Sequence, residues 1–253
     1  MNHSPAFSVY LAGWACCSLD ETLPGRLGFP AVLPDKRRIP ASVRRRTSQA
    51  VQLALTAGLL ACEDAGLNPA DLPAVFASAG SEMQVTDRLC IELAKPDGWI
   101  SPTLFHNSVH NTAAGYWSIV TGCQQPSTSL AAAEATVAMA WLEAWCRLQS
   151  GARSLLVVCY EEVWPDYLEP GVGLYPAALA WVLSDLPDNA KAILGRPEPS
   201  AAALEGDDAR LAHECPALAA APLFRAVSAG KTGGDMALGA GWSIPLKSCG
   251  ADE

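Results

Sequence analysis

The sequence is short of charge, and short of anything that holds a metal. Only 17% of its 253 residues are charged. Seventeen Lys and Arg stand against 26 Asp and Glu, a net charge of −9. That balance excludes a general attraction to nucleic acid or anionic lipid. Four histidines and nine cysteines contain no C-x-x-C pair and no metal-ligand spacing, so neither a metal nor a disulfide framework is expected. The cysteine count is odd, Cys16 and Cys17 are adjacent, and several others lie in apolar runs. Reduced, buried thiols in a cytoplasmic protein account for this. No apolar run reaches the ~20 residues that span a bilayer. The opening MNHSPAFSVYLAGW lacks a basic region ahead of an apolar core, so no signal peptide is expected. Residues 230–234 (GKTGG) lack the spacing and the strand–helix context of a phosphate loop, and no cofactor is expected.

What is present is a greasy, globular composition, half hydrophobic, with no internal repeat. The whole of 1–253 is expected to form one domain, with 196–222 an irregular, Ala/Pro-rich excursion carrying one weak helix. Strands are expected at 7–15, 73–80, 127–133 and 155–159. A hairpin is expected from 176–183 and 190–194. One helix should run from Ser42, as its N-cap, to Ala65, stopped by Gly66. Further helices should cover 83–94, 111–121 and 135–149, with 102–109 left as a loop. Strands alternating with helices argue an α/β layered domain.

The stretch 106–150 organises the chain. A short strand there turns directly into a long apolar helix, and Glu134 stands at the junction. Helix N-termini offer unpaired N–H groups and positive dipole, so this is a place for a reactive side chain. A carboxylate there can also simply cap the helix. Thr136, Glu143 and Arg147 share one stripe, read as the solvent or interface face. Glu134 falls off that stripe and should point into protein, where a carboxylate needs hydrogen bonds or a raised pKa. His106 and His110 lie four apart and could join Cys123, but no third ligand has suitable spacing. Tyr116, Trp117, Trp141 and Trp145 are large side chains around the central helices, read first as core.

At this stretch the residues resemble the N-terminal half of a β-ketoacyl synthase, a thiolase-fold condensing enzyme. Asn111-Thr112-Ala113-Ala114-Gly115 matches that family's helix start, and Pro126 matches its proline. Ala133-Glu134-Ala135-Thr136-Val137 then falls on the segment where the family carries its acyl-bearing cysteine, so Glu134 occupies the nucleophile position. Residues 45–67 and 152–162 resemble the flanking helix and strand, and the resemblance covers roughly 7–195. More narrowly, HNSVHNTAAGYWSI at 106–119 is similar to short synthase-like proteins of aryl polyene and xanthomonadin-type pigment clusters.

The resemblance implies half of a thiolase-like fold, a mixed five-stranded sheet with a buried central helix layer. It also implies a chain-length-factor-like subunit paired with an active ketosynthase. A carboxylate cannot carry the acyl thioester that condensation needs. The C-terminal histidine pair of a full synthase is expected to be missing, His213 lying in an unlike, Ala-rich context. By the same resemblance His106, Asn107, His110, Asn111, Tyr116 and Trp117 would lie at the dimer interface and tunnel. One half alone should leave an apolar face on helix 135–149 for the partner. The basic island Lys36, Arg37, Arg38, Arg44, Arg45 and Arg46 is the candidate dock for an acidic acyl carrier protein. Two alternatives stay open: a small acyl-thioester enzyme using Glu134 or Cys123 with His106 or His110, and a homodimeric acyl-binding scaffold.

Overall fold

The computed structural model describes residues 8–247. In chain order its strands are β1 (Val9–Ser18), β2 (Ala74–Ala77), β3 (Ser127–Leu130), β4 (Ser154–Glu161), β5 (Ala177–Ser184), β6 (Ala192–Leu194), β7 (Glu198–Pro199), β8 (Asp235–Gly239) and β9 (Trp242–Lys247). Its α-helices are α1 (Leu23–Leu27), α2 (Ala41–Arg44), α3 (Gln49–Ala65), α4 (Met83–Leu93), α5 (Pro102–Asn107), α6 (Thr112–Thr121), α7 (Thr136–Gln149), α8 (Gly206–Glu214) and α9 (Ala221–Ser228).

The strands join in the order β3-β2-β4-β5-β1-β6-β9-β7, with β8 paired to β9. The sheet is mixed: β3, β2 and β4 are parallel, while β5 runs antiparallel to both β4 and β1. The expected five strands, β3 to β1 in this order, are therefore one side of the sheet, and β6 to β9 extend it to nine among the described residues. The expected hairpin is corrected as well: β5 and β6 both pair with β1, one on each side of it. The residues between them span a strand instead of closing a turn.

Both faces of the centre are covered, which is why its strands read as unbroken apolar runs. In β4, Leu155, Val157 and Cys159 join one core and Leu156, Val158 and Tyr160 the other. The second core lies under α3 and α6. Here α3 is helical because Ser48 caps it, accepting from Val51 N–H at 3.1 Å, and it stops at left-handed Gly66. Ser42 is not the cap, since α2 forms separately ahead of it. At Gly13 a bulge in β1 brings the strand against α3, and a Cβ there would lie 2.7 Å from Ala61 O.

The first core contains α7. Trp141 stacks on Trp181 with centroids 4.6 Å apart, and Phe224 of α9 tilts against Trp181 at 5.6 Å. The expected open apolar face on α7 is thus absent. Residues of 211–246 cover it, burying Val137, Ala138, Ala140, Trp141 and Ala144. The presumed excursion folds as well, into β7, α8 and a 3-10 turn, Pro216–Leu218. The expected loop at 102–109 contains α5, whose Pro102 sits in the first turn, where a missing N–H costs nothing. Among the described residues no helix is long and apolar enough to cross a membrane.

Candidate functional site

β3 leads into a 3-10 turn, Ala133–Ala135, and then α7. Ala133 has φ +47°, a left-handed conformation that an L side chain adopts only under constraint. Thr136 supplies the constraint: its Oγ1 donates to Ala133 O at 2.7 Å and accepts from Ala132 N–H at 2.9 Å. The sharp turn throws Glu134 outward. Its side chain is exposed, with no hydrogen bond or ion pair among the described residues. This corrects the expectation that it points into protein. The stripe is corrected with it: Thr136 is buried, while Glu143 and Arg147 pair at 2.8 Å.

Glu134 opens onto a cavity of about 600 Å³. Trp164, Glu169, His213, Leu204 and the β8–β9 turn at Gly239, Ala240 and Gly241 form its other walls. His213, set aside on its sequence context, therefore shares a cavity with Glu134. It is carried there by α8, which ion pairs hold down at several points. Arg26 of α1 meets Asp207 at 2.8 Å and Glu214 at 2.6 Å, and Arg225 of α9 meets Asp208 at 2.9 Å.

Three buried carboxyls were missed by the sequence reading, and one of them, Glu161, stands behind the cavity wall. Glu161, at the end of β4, accepts from the backbone N–H of Ala79 and of Gly80 (3.2 Å) and from Trp164 Nε1–H (3.4 Å). It thereby fixes two cavity-wall residues, Ala79 and Trp164. Glu162 accepts from Gln84 N–H at 2.6 Å. Glu82 accepts from Ser48 Oγ at 2.9 Å, and its Oε2 is buried without a partner. Burial pushes each of the three up to about 7, against the pull of these donors. The signal was available: two acids directly follow the apolar run LLVVCY.

The remaining expected site residues lie elsewhere. Cys123 is buried, its thiol donating to Leu72 O at 3.4 Å, and it does not line the cavity. His106 is exposed, edge-on to Tyr116 at 6.1 Å. His110 is half-buried with both ring nitrogens unpartnered, and burial lowers its pKa. Neither histidine lines the Glu134 cavity. Asn107 is buried, donating to Arg46 O at 2.5 Å and accepting from Tyr116 OH at 3.2 Å. Asn111 is exposed at the start of α6 and makes no capping bond. Tyr116 and Trp117 are buried within the chain, Trp117 at 1% exposure against Gly58 and Phe76. Both pack in the core under α3 and β2, the first reading given to these aromatics. The exposed apolar groups nearby are instead Phe105, Val109 and Ile119. Among the described residues no group of three His, Cys, Asp or Glu could hold a metal ion.

In the basic island, Arg37 pairs with Asp35 at 3.2 Å and Arg38 with Glu63 at 2.8 Å. Arg44 donates to the backbone O of Lys36 and of Ile39, the latter at 3.3 Å. Among the described residues Lys36, Arg45 and Arg46 keep no carboxylate partner.

A mixed sheet covered on both faces, with a constrained strand-to-helix turn opening on a cavity, is the thiolase-like ketosynthase architecture. Residues 22–236 match the family described as Beta-ketoacyl synthase, N-terminal domain, and the chain belongs to that family. A structure of the ketosynthase ApeO in complex with its chain length factor ApeC, from Xenorhabdus doucetiae, is similar at TM-score 0.71 and 19% identity. That match covers 95% of this chain and 99% of the other. AntDE:AntF, a type II polyketide synthase acyl-carrier protein in complex with its ketosynthase bound to the hexaketide, is similar at TM-score 0.58 and 14% identity. There the match covers 77% of this chain and 69% of the other. The ishigamide ketosynthase/chain length factor is similar at TM-score 0.56 and 14% identity, over 82% of this chain and 68% of the other. No curated protein matches the chain in sequence.

Proposed function

We propose that this chain is a non-catalytic, chain-length-factor-like subunit. It pairs with an active β-ketoacyl carrier-protein synthase in aryl polyene or related fatty-acid and polyketide-type biosynthesis, in the cytoplasm. The observation that carries this reading is the side chain at the strand–helix turn. The backbone there is constrained as for a reactive group, yet Glu134 offers a carboxylate, which forms no stable thioester adduct. Pairing is supported by β3, the outermost strand on its side of the sheet, which offers a free backbone edge. The exposed Ile119 on neighbouring α6 adds apolar surface. The unpaired cations Lys36, Arg45 and Arg46 suit an acidic acyl carrier protein.

The test is turnover of malonyl carrier protein by the purified chain alone. No turnover is expected, and Glu134→Ala should leave product formation by the two-subunit complex intact. One observation favours a second reading, a small acyl-thioester enzyme: Glu134 and His213 line one cavity and could form an acid–base pair. Turnover by the chain alone that is lost in Glu134→Gln and in His213→Ala would establish that reading and overturn the first.

A further inference from the structure

A second recess, of about 590 Å³, has the opposite character. Its walls include Arg45, Arg46 and Arg88, together with Gln49, Thr103 and the Glu162 carboxyl. Among the described residues none of the three arginines makes an ion pair or a side-chain hydrogen bond. Arg37 and Arg38 found carboxylates and Arg44 found backbone oxygens, and these three lie outside the recess. Glu162 offsets part of the charge, but one of its oxygens is tied to Gln84 N–H. Three arginines lining one recess raise its positive potential, which an anion lying among them would offset. Each presents a planar fork of donors, and together they exceed what one carboxylate's two oxygens can accept. A phosphate, with more oxygens and more charge, satisfies them better. The recess has the volume of a small-molecule site.

We infer that this recess is a binding site for a phosphate group, held by Arg45, Arg46 and Arg88. The inference rests on the recess and not on the carrier-protein reading, although Arg45 and Arg46 serve both. Arg88 belongs to the recess alone. The phosphate could arrive on a free metabolite or on the prosthetic arm of a carrier protein.

The experiment is calorimetric titration of the full chain with sodium pyrophosphate at constant ionic strength. One saturable site is expected. Arg88→Gln and Arg45→Gln should each weaken it at least about tenfold, while the urea unfolding midpoint stays unchanged. Arg88→Lys, which keeps the charge and loses the fork, should recover part of the affinity. Competition then separates the sources: displacement by holo-carrier protein but not by apo-carrier protein indicates the arm, and displacement by neither indicates a free metabolite. Absence of a saturable site, unchanged affinity in Arg88→Gln, or equal binding of malonate would overturn the phosphate assignment. Those failures would leave partner assembly, measured separately, untouched.

Discussion

Glu82→Gln should make the protein more stable at pH 8 and change little at pH 5. Glu82 is 1% exposed, and one of its oxygens has no partner. Burial raises its pKa from the ordinary 4.5 to about 7, with nearby Glu162 pushing the same way and Ser48 opposing. The other titratable or charged groups around it are Tyr116 and Tyr160, with Arg46 acting on Tyr116 and Arg88 on Glu162. A carboxyl whose folded pKa is raised contributes stability that is fully present below about 4.5. That contribution is lost as pH climbs through about 7, because only the unfolded chain ionises freely. The shift corresponds to about 3 kcal/mol at pH 8. The amide lacks this penalty but leaves its NH2 without an acceptor, which returns about 1 kcal/mol. A net gain of about 2 kcal/mol at pH 8 follows, falling to about zero at pH 5. Urea unfolding of both proteins across this range measures it. A glutamine variant no more stable than the parent at pH 8, with the same pH slope, would refute the reasoning.

Three further outcomes are expected. Gly13→Ala should cost about 3 kcal/mol, read from urea midpoints, because its Cβ meets the backbone of Ala61 and Ala65. Arg26→Ala removes the ion pairs to Asp207 and Glu214 and should loosen α8. Hydrogen exchange at 206–214 should then accelerate about tenfold or more while the β4 amides stay protected. Reversing Lys36, Arg45 and Arg46 to Glu should weaken carrier-protein binding and abolish its decline with salt. Unchanged binding would remove the island from the interface.

The parts of the fold legible in the sequence are those fixed locally or by uniform burial. The run LLVVC reads as a strand because β4 is covered on both faces. Gly66 ends its helix because only glycine takes φ +68° there without strain. What was not legible depends on long-range partners. The supposed hairpin fails because β1, some 160 residues earlier in sequence, lies between its strands. The helix at 136–149 is apolar on most of its circumference, as expected, but α9 and β8 of the same chain cover that face. Glu134's direction was misjudged because helical spacing was carried back through a 3-10 turn with left-handed Ala133. His213, Glu161 and Arg88 have no mutual spacing at all. Only the sheet order and the packing of α4 and α8 bring them beside the two cavities.

The central claim is that this chain works as the partner of a ketosynthase. Co-expression with an active ketosynthase from the same genome, followed by light scattering on the purified material, tests it most directly. The account predicts a one-to-one complex that survives gel filtration, that Ile119→Arg disrupts, and that Glu134→Ala leaves intact. A chain that purifies as a homodimer free of the synthase, under the same conditions, would contradict it.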